Sequence, residues 1–460
     1  MSLPMKLLFD PRGVDSSILR GEMMIMGRQG AHWPGVILIL VLAVVVISAP
    51  AGRAAPAVEV SIWGGYPEIA PIYQRAAEAY QQAHPNVKVT VLTTDIRDYE
   101  RKLAASLPSD TAGNILEVEA PTVERYIEAG LIPKAPPDIA QFVRSRSFNA
   151  SAQEAASVGT DVYGVPWFAG VGALYYNTEM FKEAGVSGPP QTMDELMAVA
   201  KKLVKVDAQG RVVRSGVSLR LFGAGSGVAE KFAILMWPRG GELLTRNAQG
   251  KYKAGYDNDA GRATLKMHID AVFVNKVDSL DIKHDAESFE LGQTAMFERE
   301  SWVIGDIQKN APTLKYQTAA IPRDQRWGTI VGSVSLYTSR SARNPDVAWD
   351  FVKFLTQPQF ERQLLQEVGW IPLRQDVNFD PVIAKFPQYK GFLIRDPKYV
   401  YWSMPNIKDF DEIETKLAAR LVAAYRDATL AGNAAGIANV LHTAAGETNT
   451  ILKRDGLYGE

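Results

Sequence analysis

From Val58 onward, apolar and polar positions alternate first with the period of a strand and then with that of a helix. Residues 58–63 alternate as a β-strand, residues 69–83 place apolar side chains on one helical face, and residues 87–93 alternate again. The same pattern predicts a helix over 99–107, a strand over 114–119 and a helix over 121–129. Strands that alternate with helices favour a parallel sheet covered on both faces, with ligands beyond the carboxyl ends of the strands. The loops at 63–68, 94–97 and 119–122 are therefore candidate binding loops.

The pattern changes at Tyr163. Residues 163–177 indicate two extended pieces around glycines, and Thr192 followed by Glu195 is typical of a helix N-terminus. Further on, the sequence predicts a polar hairpin or loop over 205–214, helices over 178–184, 228–236, 257–274 and 345–356, a helix, turn and strand over 288–297, strands over 316–321 and 332–338, and two alanine-rich helices within 411–451. No internal repeat interrupts this order.

An apolar run at residues 36–47 predicts a secretion signal covering residues 1–57. The run is shorter than the roughly 20 residues that span a bilayer, Arg28 precedes it, and small residues follow it. Cleavage is expected after Ala51 or Ala54, and an uncleaved membrane anchor is the alternative. The chain has no cysteine, which excludes disulfides, thiol chemistry and a lipid-modified cysteine. Together these features favour a soluble protein in a bacterial periplasm.

Composition argues against several classes of function. A formal net charge of −1 disfavours nucleic acid and anionic membranes as partners. The five histidines show no ligand spacing, so we predict no metal and no other cofactor. The glycine-rich segment 223–227 lacks the Lys-Ser/Thr of a phosphate-binding loop, and no Gly-x-Ser-x-Gly motif occurs. Two acids that cleave a glycoside need only meet in space, so an exported carbohydrate-active enzyme stays open as an alternative.

Five segments, in order, resemble the extracellular solute-binding proteins of ABC importers, specifically the sugar-binding family that includes maltose-binding protein. They are VSIWGGYPEIAPIYQRAAEAYQQAHPNVKVTV, YGVPWFAGVGALYYNTEMFKEAGV, TMDELMAVAKKL, FELGQTAMFERESW and NPDVAWDFVKFLTQPQFERQLLQEVGWIPLR. The fourth segment resembles the family's F-x-x-G-x-x-A-M…W signature and is the most specific.

The resemblance implies a two-lobe α/β fold of the periplasmic binding-protein kind, type II-like, with hinge crossovers. Lobe one would comprise residues 58–168 and 327–371, and lobe two residues 171–326 and 372–460. The solute would lie in the cleft between the lobes. The loops chosen above from strand direction fall on this cleft.

A sugar offers hydroxyls at its edge and C–H groups on its faces, so aromatic rings and carboxylates are suitable partners. The resemblance places Trp302 at a stacking position. The full set of candidate substrate-binding residues is Trp302, Trp63, Tyr66, Glu68, Asp95, Glu119, Trp167, Phe168, Trp237, Gly332, Ser333 and Trp370. Core packing competes as an explanation for the aromatic residues, and helix capping or a solvated loop charge for the acids.

The resemblance thus implies a monomeric periplasmic receptor, not an enzyme, that captures a neutral sugar or polyol by hinge closure and delivers it to the membrane permease subunits of an ABC importer. The glycine-rich crossover at 164–172 and the loops near Trp327 would form the hinge. A receptor for a non-sugar solute, such as a polyamine or a phosphodiester, is the other alternative.

Overall fold

The computed structural model describes residues 58–460 except residues 224, 395 and 408. The predicted secretion signal and its cleavage sites lie outside the described residues. Within the described part of the chain, no helix combines the length and the apolar character that a membrane span requires.

The strands form one large sheet and three short two-stranded ribbons. They are β1 (Val58–Gly64), β2 (Val87–Thr93), β3 (Ile115–Glu119), β4 (Ser157–Val158), β5 (Asp161–Val162), β6 (Gly164–Asn177), β7 (Lys205–Val206), β8 (Val212–Arg214), β9 (Leu244–Arg246), β10 (Tyr252–Ala254), β11 (Met296–Glu300), β12 (Tyr316–Ala319), β13 (Gly328–Thr338), β14 (Ile371–Pro372) and β15 (Val400–Trp402). The predicted strands and the polar hairpin are all present, with ends that differ by a few residues.

The helices surround this sheet. They are α1 (Ala70–Ala83), α2 (Ile96–Ser106), α3 (Ala120–Glu128), α4 (Pro137–Val143), α5 (Ala150–Ala155), α6 (Thr178–Glu183), α7 (Met193–Leu203), α8 (Gly227–Met236), α9 (Asp259–Phe273), α10 (Ala286–Glu290), α11 (Val303–Asn310), α12 (Pro345–Leu355), α13 (Pro358–Gln363), α14 (Asp380–Lys385), α15 (Phe410–Tyr425) and α16 (Ala434–Arg454). Thr192 caps α7, as predicted, by accepting a hydrogen bond from the backbone N–H of Glu195 at 3.2 Å.

The prediction of a parallel sheet is correct for the first three strands, from whose pattern it was made. β1 pairs in parallel with both β2 and β3, so the carboxyl ends of these strands meet at one edge. β13 then lies antiparallel between β3 and β6, which makes the sheet mixed. Alternation in a single strand does not reveal the direction of its neighbour, and β13 enters the sheet from a segment far along the chain.

β6 and β13 connect the two ends of the large sheet. The first half of β6 pairs with β13, and its second half pairs with β11 and β12. The sequence predicted two extended pieces around glycines here, whereas the structure has one continuous strand. Position 172, within this strand, is a glycine because a Cβ there would lie 2.4 Å from Glu298 Oε1. The glycine thus makes room for a buried carboxylate instead of breaking the strand.

Two large hydrophobic cores both take residues from β6. The first is built on β1, α1 and α12, and the second on α7, α8, α9, α15 and α16. Within β6, Tyr175 belongs to the first core and the adjacent Leu174 to the second. The first core also takes in Phe289 and Phe297, which lie in the predicted second lobe, so the cores do not follow the predicted lobe boundaries. Those boundaries stay a prediction.

Glu117 on β3 fixes the loop that follows β1. It is 1% exposed, accepts a hydrogen bond from the backbone N–H of Gly65 at 2.8 Å, and accepts another from the hydroxyl of Tyr73. Gly64 lacks a side chain where a Cβ would approach Glu117 Oε1 to 2.9 Å. Burial raises the pKa of Glu117 to about 8, although both hydrogen bonds act in the opposite direction.

Replacing Glu117 with glutamine should remove a pH-dependent loss of stability. The pKa of Glu117 lies above its ordinary value of 4.5, so the folded protein retains a proton that the unfolded chain releases. Wild-type stability should therefore fall as pH rises from about 4.5 to about 8, by up to about 1.4 kcal/mol per pH unit from this group. Glu117→Gln should show a shallower decline in thermal unfolding across this range. The exposed Glu78→Gln is the control, and identical pH profiles for all three proteins would contradict the assignment.

Candidate functional site

A cavity of about 1530 Å³ opens at the carboxyl ends of β1 and β3. Its lining includes the loop after β1, the starts of α2, α3 and α8, the segment from β11 to α11, and the first turns of α15. These elements come from both hydrophobic cores. The part of the β6–β13 pair where Gly170 lies opposite Gly332 also faces the cavity. The position agrees with the expectation that ligands bind beyond the ends of parallel strands.

One wall of the cavity is a cluster of three aromatic rings. The ring centroids of Tyr66 and Phe168 lie 5.2 Å apart, those of Tyr66 and Trp370 5.3 Å apart, and those of Phe168 and Trp370 5.1 Å apart. The indole Nε1 of Trp370 donates to Glu68 Oε1 at 3.0 Å, which orients that carboxylate. Burial raises the pKa of Glu68. Phe168 is 0% exposed and Trp370 6%, so these two rings mainly support Tyr66, which is half-buried. The surface that this wall offers is therefore mainly Tyr66 and the carboxylate of Glu68.

Trp302 forms a second aromatic surface, at the start of α11. Its side chain is half-buried, and its indole Nε1 donates to Glu300 Oε2 at 3.2 Å. The guanidinium carbon of Arg299 lies 5.1 Å from the ring centroid, within the range of a cation–π contact. Both neighbours restrain the indole, so the ring is preorganised where it faces the cavity.

A buried ion network holds Glu300 in turn. The ammonium of Lys231, on α8, lies 2.5 Å from Glu300 Oε1, 2.9 Å from Glu298 Oε2 and 3.3 Å from Glu230 Oε1. Burial disfavours the charge on Lys231, but the three carboxylates raise its pKa above the ordinary value. Burial also disfavours the Glu300 charge, yet Arg299 and Lys231 hold its pKa well below the usual range. Both groups stay charged because each is paired.

The end of β3, next to the aromatic cluster, carries carboxylates near one arginine. Glu119, at the end of β3, accepts a hydrogen bond from the Tyr66 hydroxyl. Burial raises the pKa of Glu119 to about 7. Arg97 on α2 pairs with Glu100 at 2.8 Å and donates to Ser226 Oγ at 3.2 Å. Ser226 precedes α8, so this hydrogen bond joins the two sides of the cavity.

Comparison with known proteins places the chain in a family. A model of the bacterial extracellular solute-binding proteins matches residues 75–391, which is more than half of the chain. The chain belongs to the bacterial extracellular solute-binding proteins. This binding protein is 25% identical to the maltotriose-binding protein of Pyrococcus abyssi over 351 residues, which cover 73% of this chain and 70% of that protein. It is also 25% identical to the lactose-binding protein of Rhizobium radiobacter over 335 residues, covering 69% and 75% respectively.

The fold agrees with a solved structure of the same kind. An ABC substrate-binding protein from Listeria monocytogenes, in complex with cycloalternan, superposes with a TM-score of 0.75 and 17% sequence identity. The match covers 86% of this binding protein and 99% of that chain. The two-lobe α/β fold and the family that the sequence implied are both confirmed.

Most of the residues chosen from the sequence lie on the cavity of the binding protein. Those that line it are Tyr66, Glu68, Asp95, Glu119, Phe168, Trp302, Gly332, Ser333 and Trp370. Their contact with a solute stays a prediction, because position alone does not establish binding.

Three tryptophans chosen from the sequence lie away from the cavity lining. Trp167 is 0% exposed and donates from its indole Nε1 to the Tyr73 hydroxyl at 3.1 Å. Trp237 is buried and stacks on Trp402 with a centroid distance of 5.5 Å. Trp63 packs beside α2, where the Lys102 ammonium lies 4.5 Å from its ring centroid. These contacts account for the three residues as packing, and we leave them out of the proposed site.

Several cavity residues escaped the sequence analysis. Arg220, Glu230, Glu300 and Glu414 all line the cavity. Glu300 had a usable signal, because it precedes Trp302 by two residues within the family signature. The others had none, since their roles depend on helices and loops brought together from distant segments. Within the described residues, no group of histidine and acidic side chains has the arrangement of a metal site.

Arg220 is the most unusual of these residues. Its backbone φ is +52°, in the left-handed region. Its guanidinium packs against Gly227, where an added Cβ would lie only 2.4 Å from Arg220 Nη2. Within the described part of the chain it makes no hydrogen bond or ion pair. Burial and the nearby Arg299 lower its pKa. A strained, unpaired arginine on a cavity wall is poised to donate to a solute.

Replacing Lys231 with methionine should destabilise the protein by about 3–5 kcal/mol, because it leaves Glu298 and Glu300 buried with less compensation. Adding Glu298→Gln should recover part of the loss, since it removes one of the uncompensated charges. Chemical unfolding of the single and double variants measures both effects.

The matched control is Lys266→Met, which removes an exposed ion pair with Asp270 and should cost less than about 1 kcal/mol. Equal losses for the two lysine variants would show that the buried network does not stabilise the fold.

Proposed function

We propose that this protein is the receptor of an ABC importer and captures a sugar or polyol in the cavity. The combination of Trp302 with Tyr66 carries this proposal, because these two half-buried rings line the same space as hydrogen-bonding groups. Phe168 and Trp370 pack against Tyr66 and hold its ring in place. Aromatic faces are suited to the C–H surface of a sugar ring. Glu68, Ser333 and Arg220 supply acceptors and donors for its hydroxyls.

The relatives support a receptor over an enzyme. The maltotriose-binding and lactose-binding proteins are named for binding carbohydrate, and the solved neighbour is an ABC substrate-binding protein in complex with cycloalternan. A protein of this kind works outside the cytoplasmic membrane, so we propose export by the N-terminal signal to the periplasm. It would act as a monomer and pass its solute to permease subunits.

The proposed mechanism is closure of two lobes about the β6–β13 connection. The lobes would comprise residues 58–168 with 327–371 and residues 171–326 with 372–460. Since elements from both sides line the cavity, a solute contacts both only when the lobes are close, and its binding energy shifts the open–closed equilibrium. The hydrogen bond from Arg97 to Ser226 joins residues of the two proposed lobes, so it would form in the closed arrangement and break on opening.

A thermal-shift screen over mono-, di- and oligosaccharides, polyols, polyamines and phosphodiesters tests the function. We expect stabilisation by at least one saccharide or polyol that increases with its concentration, because ligand stabilisation follows mass action. Stabilisation by polyamines or phosphodiesters alone would replace the sugar assignment. If the protein released product from a glycoside, and replacement of one carboxylate abolished this release, the result would favour a carbohydrate-active enzyme instead of a receptor.

Trp302→Ala should weaken binding of the selected saccharide by about 1–3 kcal/mol in a protein that stays folded, because it removes a preorganised aromatic surface. Trp63→Ala is the matched control, since Trp63 is also half-buried but lies away from the cavity. Calorimetric titration and thermal unfolding are measured on both variants. A large fall in melting temperature with normal affinity in the folded fraction would make Trp302 a core residue.

Small-angle scattering tests closure. Saturation with the selected saccharide should reduce the radius of gyration, because the lobes move together about β6 and β13. Arg97→Ala should leave the free protein more open, since it removes the hydrogen bond to Ser226. An unchanged radius of gyration in the fully bound protein would contradict hinge closure.

A further inference from the structure

One end of the cavity has an excess of carboxylates. Glu119 at the end of β3, Glu230 on α8, and Asp411 and Glu414 on α15 all line it. Asp411 and Glu414 are three residues apart and share one face of their helix. α15 contacts α3, whose N-terminus follows Glu119, so the acids from these elements meet across the cavity.

Basic partners do not balance these acids. The charge of Arg97 lowers the pKa of Glu119 and of Glu414, but this arginine is already paired with Glu100. The Lys231 ammonium contacts Glu230, but it also pairs, at shorter distances, with Glu298 and Glu300. Within the described residues, Glu119, Asp411 and Glu414 have no ion pair with a lysine or arginine. Arg220 also interacts with Glu230, so this end of the cavity has two arginines, Arg97 and Arg220, and a larger number of carboxyl groups.

Glu414 is the strongest single indication of a ligand site at the acidic end of the cavity. Its side chain is 9% exposed, and its Oε1 is buried with no hydrogen-bond partner among the described residues. Burial raises its pKa well above the ordinary value, and Glu230, Asp411 and Glu119 raise it further, against a smaller opposing effect of Arg97. An unpartnered buried carboxylate is costly, so a ligand that supplies both a positive charge and N–H donors relieves the cost.

We propose that Glu119, Glu230, Asp411 and Glu414 bind the protonated amine of an amino sugar, so that the solute is a saccharide containing an unacetylated hexosamine. This inference rests on the proposed function. A hydroxyl donates one hydrogen and brings no charge, whereas a primary ammonium donates three and compensates the excess negative charge. A quaternary ammonium would compensate charge but would leave Glu414 Oε1 without a donor.

The remaining cavity groups fit the rest of such a molecule. Trp302 and Tyr66 offer aromatic surface for its rings, and Arg220 offers donors to its hydroxyls. A polyamine would use the carboxylates but would leave these aromatic surfaces and the arginine without a matching group. The aromatic surfaces thus favour a sugar over a simple amine.

Calorimetric titration with matched sugars tests the inference. The probes are glucose, glucosamine and N-acetylglucosamine, and their β1,4-linked disaccharides, which differ at the 2-position as hydroxyl, ammonium and acetamide. The amine sugar should bind at least about tenfold more tightly than its hydroxyl and acetamide counterparts, the range expected for charge-assisted hydrogen bonds. Glu414→Gln should abolish this preference and leave thermal stability equal or higher, because it removes a buried carboxylate.

The control variant is Glu78→Gln, which removes one exposed acid from α1 outside the cavity and should keep the preference. A second readout is pH. Affinity for glucosamine should rise with pH as Glu119, whose pKa is about 7, loses its proton, until the ligand's own amine deprotonates. Ionisation of Glu414, whose pKa is also raised by burial, acts in the same direction. Affinity for glucose should change less over the same range.

The outcomes separate this inference from the proposed function. Equal affinity across each matched set, or a preference that survives in Glu414→Gln, overturns the amine site and leaves a sugar receptor. Binding of a neutral saccharide from the wider screen without binding of any amine sugar does the same. Binding of spermidine that depends on Glu414, with no saccharide bound, supports the amine site and overturns the sugar function. Binding of neither class overturns both.

Discussion

The pairing of β6 with β13 is the constraint on which the rest of the structure depends. β6 pairs with β13 along its first half and with β11 and β12 along its second half, and it contributes residues to both hydrophobic cores. The two cores are therefore joined by a hydrogen-bonded strand rather than by a flexible linker. The cavity lies beside this junction, where Gly170 and Gly332 pair. Any solute there is near the axis about which the lobes would move, and a small rotation of these strands changes its contacts with both sides.

Electrostatics divide the cavity into two unlike regions. Near Trp302, Lys231 and Arg299 compensate Glu298 and Glu300, and this balance holds the indole through Glu300. Near α15, the carboxylates lack such compensation. The first region is therefore organised before a solute arrives, whereas the second is costly until one does. The difference assigns packing and orientation to one end of the cavity and recognition of charge to the other.

Local periodicity predicted most of the fold, because alternation and helical spacing are properties of short segments. It could not predict which residue of a strand faces the cavity. Trp167 and Phe168 are adjacent on β6 and both are fully buried in the first core, yet only Phe168, which packs against Tyr66, belongs to the cavity lining. Neighbouring residues in a strand face opposite sides, so an error of one position reverses the conclusion.

The charged residues of the site were harder to predict for a related reason. Arg220 and Glu414 lie far apart in the sequence, and each is unremarkable in its own segment. Their significance comes from missing partners, which only the folded arrangement reveals. Trp302 was predictable because a family signature contains it, and Glu300 was within reach by the same route.

The central claim is that the cavity is a carbohydrate site contacted from both sides, and the most direct test is a crystal structure of the protein saturated with its tightest-binding saccharide. We predict a sugar ring against Trp302, with hydrogen bonds to residues from the β1–β3 edge and from the side formed by α8 and α15. A saccharide bound away from Trp302, or held by only one of these sides, would contradict it.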